Sequence, residues 1–239
     1  MTSKQKSLPV ERKGAATSPS IEHVLNALKA GLATAPFCGG IASLMTDYIP
    51  SAKQKRLEEF ARQIAADLDA LQRHVNENTL LTDDFAFMFE KCFRGVAENY
   101  QTDKLEAFRG ILVNSAIGFN ASQEEREYFV NLVNSLSGLH LRILKFMAVP
   151  LKYLADMGIS PDQIRGGFSS FFPVAIPGVN IEVIKSAFGD LYQYGFIGTD
   201  KSIFTTMTSA QGLSLLGQGG RVTQLGARLI EFCMVRKSE

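Results

Sequence analysis

From Ser51 onward one pattern repeats: Leu57, Phe60, Ile64, Leu68, Leu71 and Val75 return every three or four residues, with charged residues between them. That period predicts a long amphipathic helix with a narrow apolar seam, of the kind that packs in a bundle. Phe85, Phe89, Cys92, Phe93, Val96 and Tyr100 predict a second helix over 83–100. Leu105, Phe108, Leu112 and Ala116 predict a third from Asp103, with Glu106 placed to close a capping box. Ser122 and Glu125 have the same spacing and open a helix that carries Phe129, Leu132, Val133, Leu136, Leu139, Ile143, Leu144 and Met147 and stops at Pro150. Upstream, Ile21, Val24, Leu25, Leu28 and Leu32 fall at helical spacing behind Ser20, and a short apolar element runs from Gly40 to Tyr48.

Beyond Pro150 the texture changes. "SPDQ" at 160–163 offers an N-cap Ser, a Pro at the first helical position and a capping-box Gln, for a short helix ending near Phe172. "FFPVAIPGVN" reads as a connection. Asn180 caps a helix from Ile181 to about Tyr194, and Gly195 stops it. "FIGTDKSIFTTMTS" and "GLSLLGQGGRVT" carry turn residues and β-branched runs, which predicts a hairpin. A last helix starts at Thr223, with Leu225, Leu229 and Phe232 on one side. The expected fold is mainly α: a disordered tail over 1–19, an amphipathic helical bundle over 20–150, a connecting helix and linker over 151–179, and a small winged-helix-like α/β module over 180–239.

Composition narrows the function classes. The 239 residues are 46% hydrophobic and 21% charged, with a formal charge of +1. Such a chain has room for a real core, and no global field draws it to nucleic acid or anionic lipid. Cys38, Cys92 and Cys233 are odd in number and far apart, which argues for a reducing cytoplasm over a disulfide framework. The polar, basic N-terminus lacks the apolar run of a signal peptide.

The uncharged run from Ala30 to Thr46 is interrupted by Gly31, Pro36, Gly39 and Gly40 and closed by Asp47 and Pro50. It reads as an element packed inside the bundle, with entry into a bilayer after a conformational change as the alternative. Its Phe37, Ile41 and Leu44 are candidate contacts for a protein partner, a second copy or a membrane. Lys53, Lys55 and Arg56 come next, at the start of the long helix, as a solvated face or a contact for an anionic partner. The expected location is the cytoplasm, extending to the periphery of the inner membrane.

Catalytic signatures are missing. His23, His74 and His140 have no partner histidine at helical spacing, so no helical metal pair exists, and neither a metal nor a cofactor is expected. No nucleophile elbow or phosphate loop occurs, and "GQGG" at 217–220 is a turn. His140 lies near the apolar face of its helix and reads as a satisfied core histidine. Glu106 and Arg109 are spaced to pair on one helix face. With Asn114 and His140 they form a candidate polar network, one that fixes helix register or lines a polar site within the bundle.

The run of helix, glycine stop, hairpin and "VTQLGARLIEFC" resembles a winged-helix module, in which Thr223 and Gly226 open the helix after the wing. The resemblance implies a structural or protein-binding module, or else a transcriptional regulator contacting DNA through Lys185, Lys201 and Arg221. That regulator is weakly charged for the task, since Lys185 shares its helix with Glu182 and Asp190. From about Ala35 to Cys233 the chain also resembles a family of bacterial helical proteins with a C-terminal winged-helix-like segment. The carrying stretches are "PFCGGIASLMTDYIPSAKQKRLEEF", "DKLEAFRGILVNSA", "YFVNLVNSLSGLHLRILKFM" and "VTQLGARLIEFC". Its layout is similar to that of the abortive-infection alpha group, which implies a non-enzymatic interaction or effector protein in phage defence.

Overall fold

The period of the long seam is kept in the first helix, α1 (Pro50–Ala70), which buries Phe60, Ile64 and Leu68, with Leu71 just beyond it. The computed structural model describes residues 50–71, 75, 77–80, 82–206, 212–216 and 221–235. The predicted tail, the elements over 20–49, and with them Phe37, Ile41 and Leu44, lie outside the described residues, as do His23, Cys38 and His74.

A short α2 (Glu77–Leu80) leads to α3 (Asp83–Glu98). Thr82 caps α3 by accepting a bond from Phe85 N at 3.2 Å, and Asp83 and Asp84 in the first turn favour the positive end of the helix dipole. Phe60 meets Phe93 edge-on at 5.2 Å, which joins α1 to α3. Tyr100 lies beyond the end of α3 and is 79% exposed, so it is not part of the seam.

At the centre stands α4 (Thr102–Ala116), in contact with α1, α3, α5 (Gln123–Ser135), α6 (Gly138–Ala148) and α10 (Gln224–Cys233). Ala107, Phe108 and every residue from Gly110 to Ala116 are buried. The predicted stripe of Leu105, Phe108, Leu112 and Ala116 therefore marks only part of a helix covered on nearly all sides, because such a helix loses its amphipathic period. Two glycines set its spacing to its neighbours. A Cβ at Gly95 of α3 would stand 2.3 Å from the Phe108 ring, and one at Gly110 would stand 2.0 Å from the Cys233 carbonyl oxygen.

The caps differ from expectation in an instructive way. The cap of α4 is Gln101, which makes no side-chain bond to its own helix. Its Oε1 accepts instead from Gly138 N at 2.7 Å and so caps α6. Glu106 is left out of the predicted capping box. The long stripe from Phe129 to Met147 divides into α5 and α6, with Leu136 ending one and Ser137 starting the other. His140 is the reason: its Nδ1 accepts from Ser137 N at 3.1 Å and lies 2.7 Å from Ser137 Oγ, so an imidazole closes the box where a Glu or Gln is usual.

Pro150 does not end the helical path; it is the first residue of α7 (Pro150–Asp156). "SPDQ" forms one 3₁₀ turn, Pro161–Gln163, and Pro173 lies inside α8 (Phe168–Ala175), where a connection was predicted. Packing overrides the proline there. Phe168, Phe171 and Phe172 are buried, and Phe172 lies 5.4 Å from Phe146 and 5.9 Å from Phe188. α9 (Ile181–Gln193) begins as predicted, with Asn180 Oδ1 accepting from Glu182 N at 2.8 Å, and Gly195 stops it at φ 74°.

Among the described residues beyond Gly195 nothing supports the expected winged-helix module. Among the described residues there is no hairpin; Lys201–Phe204 and Gly212–Leu215 are 3₁₀ turns, and Ile197 and Val222 make an isolated antiparallel bridge. Asp200 starts the first turn by accepting from Ser202 N at 2.6 Å, and Phe204 is buried 5.1 Å from Phe188. The closing helix α10, capped by Thr223 as expected, packs into the bundle itself, where Phe232 stacks on Phe119 at 4.7 Å. No described helix is long and apolar enough to cross a membrane.

Candidate functional site

Helical spacing brings charge to one place. Asp103, Glu106 and Ala107 share a face of α4, Leu141 and Lys145 a face of α6, and Lys152 and Asp156 a face of α7. These faces meet the end of α1 and the end of α10 around a cleft of about 560 Å³. The buried residues Leu71, Ala107, Leu141, Ile230 and Cys233 make its lining apolar, together with half-buried Met234 and Val235. Charges of both signs rim it.

One wall is locked. Arg109 grips Asp67 with two bonds, from Nε and, at 2.6 Å, from Nη2, so α1 is clamped to α4. The hydrogen bond to Asp67 pushes the Arg109 pKa further up. The other pairs stand open. Lys145 Nζ lies 3.4 Å from Asp156 and 3.8 Å from Glu106, and Arg142 Nε lies 4.0 Å from Asp103. Lys152 is exposed and has no ion pair among the described residues. Burial pushes the Asp103 carboxyl above its ordinary range, against the pull of Arg142. A carboxylate held in a cleft against desolvation is a recurrent property of functional sites. Burial pushes the Cys233 thiol well up, so it stays protonated and is a poor nucleophile. No group of three or more metal-binding side chains is placed to hold an ion among the described residues. The arrangement is suited to recognising charge on a ligand.

The predicted polar network divides. Glu106 and Arg109 do line the cleft, but they pair with Lys145 and Asp67 and not with each other. Asn114 lies behind it, fully buried, with Nδ2 directed at the carbonyl oxygens of Glu231 (3.2 Å), Phe232 (2.9 Å) and Met234 (2.8 Å). It holds the end of α10, and through it the wall formed by Cys233, Met234 and Val235. His140 is apart: beyond its cap on Ser137, its Nε2 lies 3.2 Å from Asp190 and ties α6 to α9.

The candidate basic contacts are also separated. Lys55 is exposed and Lys53 half-buried, whereas Arg56 donates to the Ala97 carbonyl at 3.2 Å and fastens α1 to the end of α3. Lys185 bonds Glu182 at 2.7 Å, Lys201 is exposed, and half-buried Arg221 sits 5.2 Å from the Phe168 ring centre. Sequence reasoning missed Asp67, Asp103, Lys145, Lys152 and Asp156 as site residues. A signal for two of the helices existed: Arg142 and Lys145 interrupt the otherwise apolar run "LRILKFM" one turn apart, and "DKLEAFR" is the charged start of an apolar helix. No family model matches the chain, and neither a curated protein nor a solved structure is similar to it.

Proposed function

We propose that the chain is a non-enzymatic recognition and effector protein, and that the cleft between α1, α4, α6, α7 and α10 is where it engages its target. One observation supports this reading above the others: beside the closed Arg109–Asp67 pair, Lys145 lies near two carboxylates of the cleft without closing on either, and Lys152 has no ion pair among the described residues. Arg126 holds Asp84 at 2.7 Å, and Arg228 holds Glu125 with Nη2 at 2.8 Å. A pair that serves only to join helices closes to hydrogen-bond distance. Lys145, left 3.8 and 3.4 Å from Glu106 and Asp156 over an apolar lining, keeps donors for another molecule.

The resemblance to abortive-infection alpha proteins supports a setting in bacterial phage defence, in the cytoplasm or at the inner-membrane periphery, with Phe37, Ile41 and Leu44 as a second contact for partner or membrane. A DNA-reading role has less to support it, because Lys185 is held by Glu182 and Arg221 is half-buried over Phe168. The test is phage challenge of bacteria expressing the wild type or Lys152→Glu, an exposed position whose substitution leaves the core intact. The wild type should reduce plaque formation, and the variant should lose that protection with an unchanged urea midpoint. Equal protection by both removes the cleft from the mechanism, and no protection by the wild type removes phage defence as its setting.

A further inference from the structure

We infer that the cleft takes a small zwitterion, an amino acid or dipeptide with an apolar side chain. This rests on reading the cleft as the recognition site and names the chemistry recognised there. A purely anionic ligand would meet Asp103, Glu106 and Asp156, and a purely cationic one would meet Lys145 and Lys152. Removing such a ligand's charge from water with a like charge beside it is unfavourable. A neutral apolar ligand would cover these open charges without giving them partners, which costs free energy at each one.

A zwitterion meets both sets. Asp103 and Glu106 stand one helical turn apart on α4 and together accept from an ammonium. Lys145 and Lys152 donate to a carboxylate; Lys145 has two carboxylates near it but neither closer than 3.4 Å. The apolar body then lies against Leu141, Ile230 and Val235. The incoming ammonium also favours the ionised form of Asp103, whose carboxyl pKa burial pushes up. A cavity of about 560 Å³ is within the usual range for small ligands and has room for two residues.

The experiment is isothermal titration calorimetry of the full chain with leucine and leucyl-leucine. The comparison ligands are N-acetyl-leucine, leucinamide and the doubly capped dipeptide. One-site binding of a zwitterion is expected, weaker by about tenfold or more when either charge is capped, since each capping removes charge-assisted hydrogen bonds. Glu106→Gln, at an exposed position, should weaken leucine far more than it weakens N-acetyl-leucine, which has no ammonium to lose. Absence of binding by both zwitterions, or equal binding of the doubly capped dipeptide, overturns the inference. If that happens while Lys152→Glu still abolishes protection against phage, the cleft remains the recognition site for a different ligand. If both experiments fail, the recognition reading falls with it.

Discussion

Asn114→Leu is a sharp test of how the bundle holds its closing helix. Leu has the branching of Asn and is somewhat larger, so the substitution leaves no cavity; it removes the donors and, with them, Oδ1, a buried acceptor that has no hydrogen-bond partner. Asn114 Nδ2 carries two protons and faces three carbonyls at the end of α10, one bond of which is fully buried and two part-buried. Carbonyls at a helix end have no partner within the helix, so the amide supplies what the helix cannot. A buried acceptor left without a donor costs about 1–3 kcal/mol. Taking about 2 kcal/mol for the buried bond and about 1 kcal/mol for one that water can partly replace gives an upper figure of roughly 3 kcal/mol, which removal of the unpartnered Oδ1 offsets in part. For a chain of this size the upper figure lowers the melting temperature by about 6–12 °C. Urea unfolding followed by circular dichroism should show a lower midpoint at unchanged m-value. Asn114→Asp should be worse than Asn114→Leu, because it points a carboxylate at three carbonyl oxygens. A loss below about 0.5 kcal/mol for Asn114→Leu, or an Asp variant as stable as the Leu variant, would refute the donor argument. Because Cys233, Met234 and Val235 line the cleft, the Leu variant should also bind zwitterions more weakly.

The packing and the charges carry two more expected outcomes. Gly110→Ala, which in an exposed helix would gain about 1 kcal/mol, should destabilise the protein, since its Cβ would stand 2.0 Å from backbone at Cys233; a raised melting temperature would show that α4 and α10 are not in close contact. The hydrogen bond from Arg228 holds the Glu125 pKa below its ordinary value, so this pair's stabilisation is complete above the unfolded glutamate pKa of about 4.3 and is lost as pH falls through the lowered folded value. Glu125→Gln should therefore cost stability at neutral pH and narrow the gap to wild type as the medium is acidified; a gap that stays constant down to strongly acidic pH would exclude the linkage.

Much of the helical path was legible because helix formation is a local matter. The seam of α1 and the caps at Ser122, Asn180 and Thr223 each depend on residues within a turn or two of each other; the caps are found where the spacing put them, and the seam as far as Leu68, although the helix ends at Ala70, short of the predicted Val75. The misreadings share a cause. Ser137 and His140 also cap locally, but an imidazole in the box lacked the usual signature, so α5 and α6 read as one helix. Pro173 and the β-branched runs after Gly195 obey their local preferences only until an aromatic cluster around Phe172 and Phe204 outweighs them.

By itself, then, the sequence determined a mainly helical protein, the starts of several helices, and the want of familiar catalytic motifs. Only the tertiary structure decided that α4 is covered nearly all round, that α10 enters the bundle where a winged-helix module was expected, and that a cleft lies between them. The physical reason is range. A helical period reports one buried face, and it falls silent for a helix with no exposed face. Asp67, Glu106, Lys145 and Asp156 come from four helices, and no local spacing relates them. Their meeting is set by close approaches such as Gly110 on Cys233 and by bonds such as Gln101 to Gly138 and Asn114 to the end of α10, which act between residues far apart in the chain.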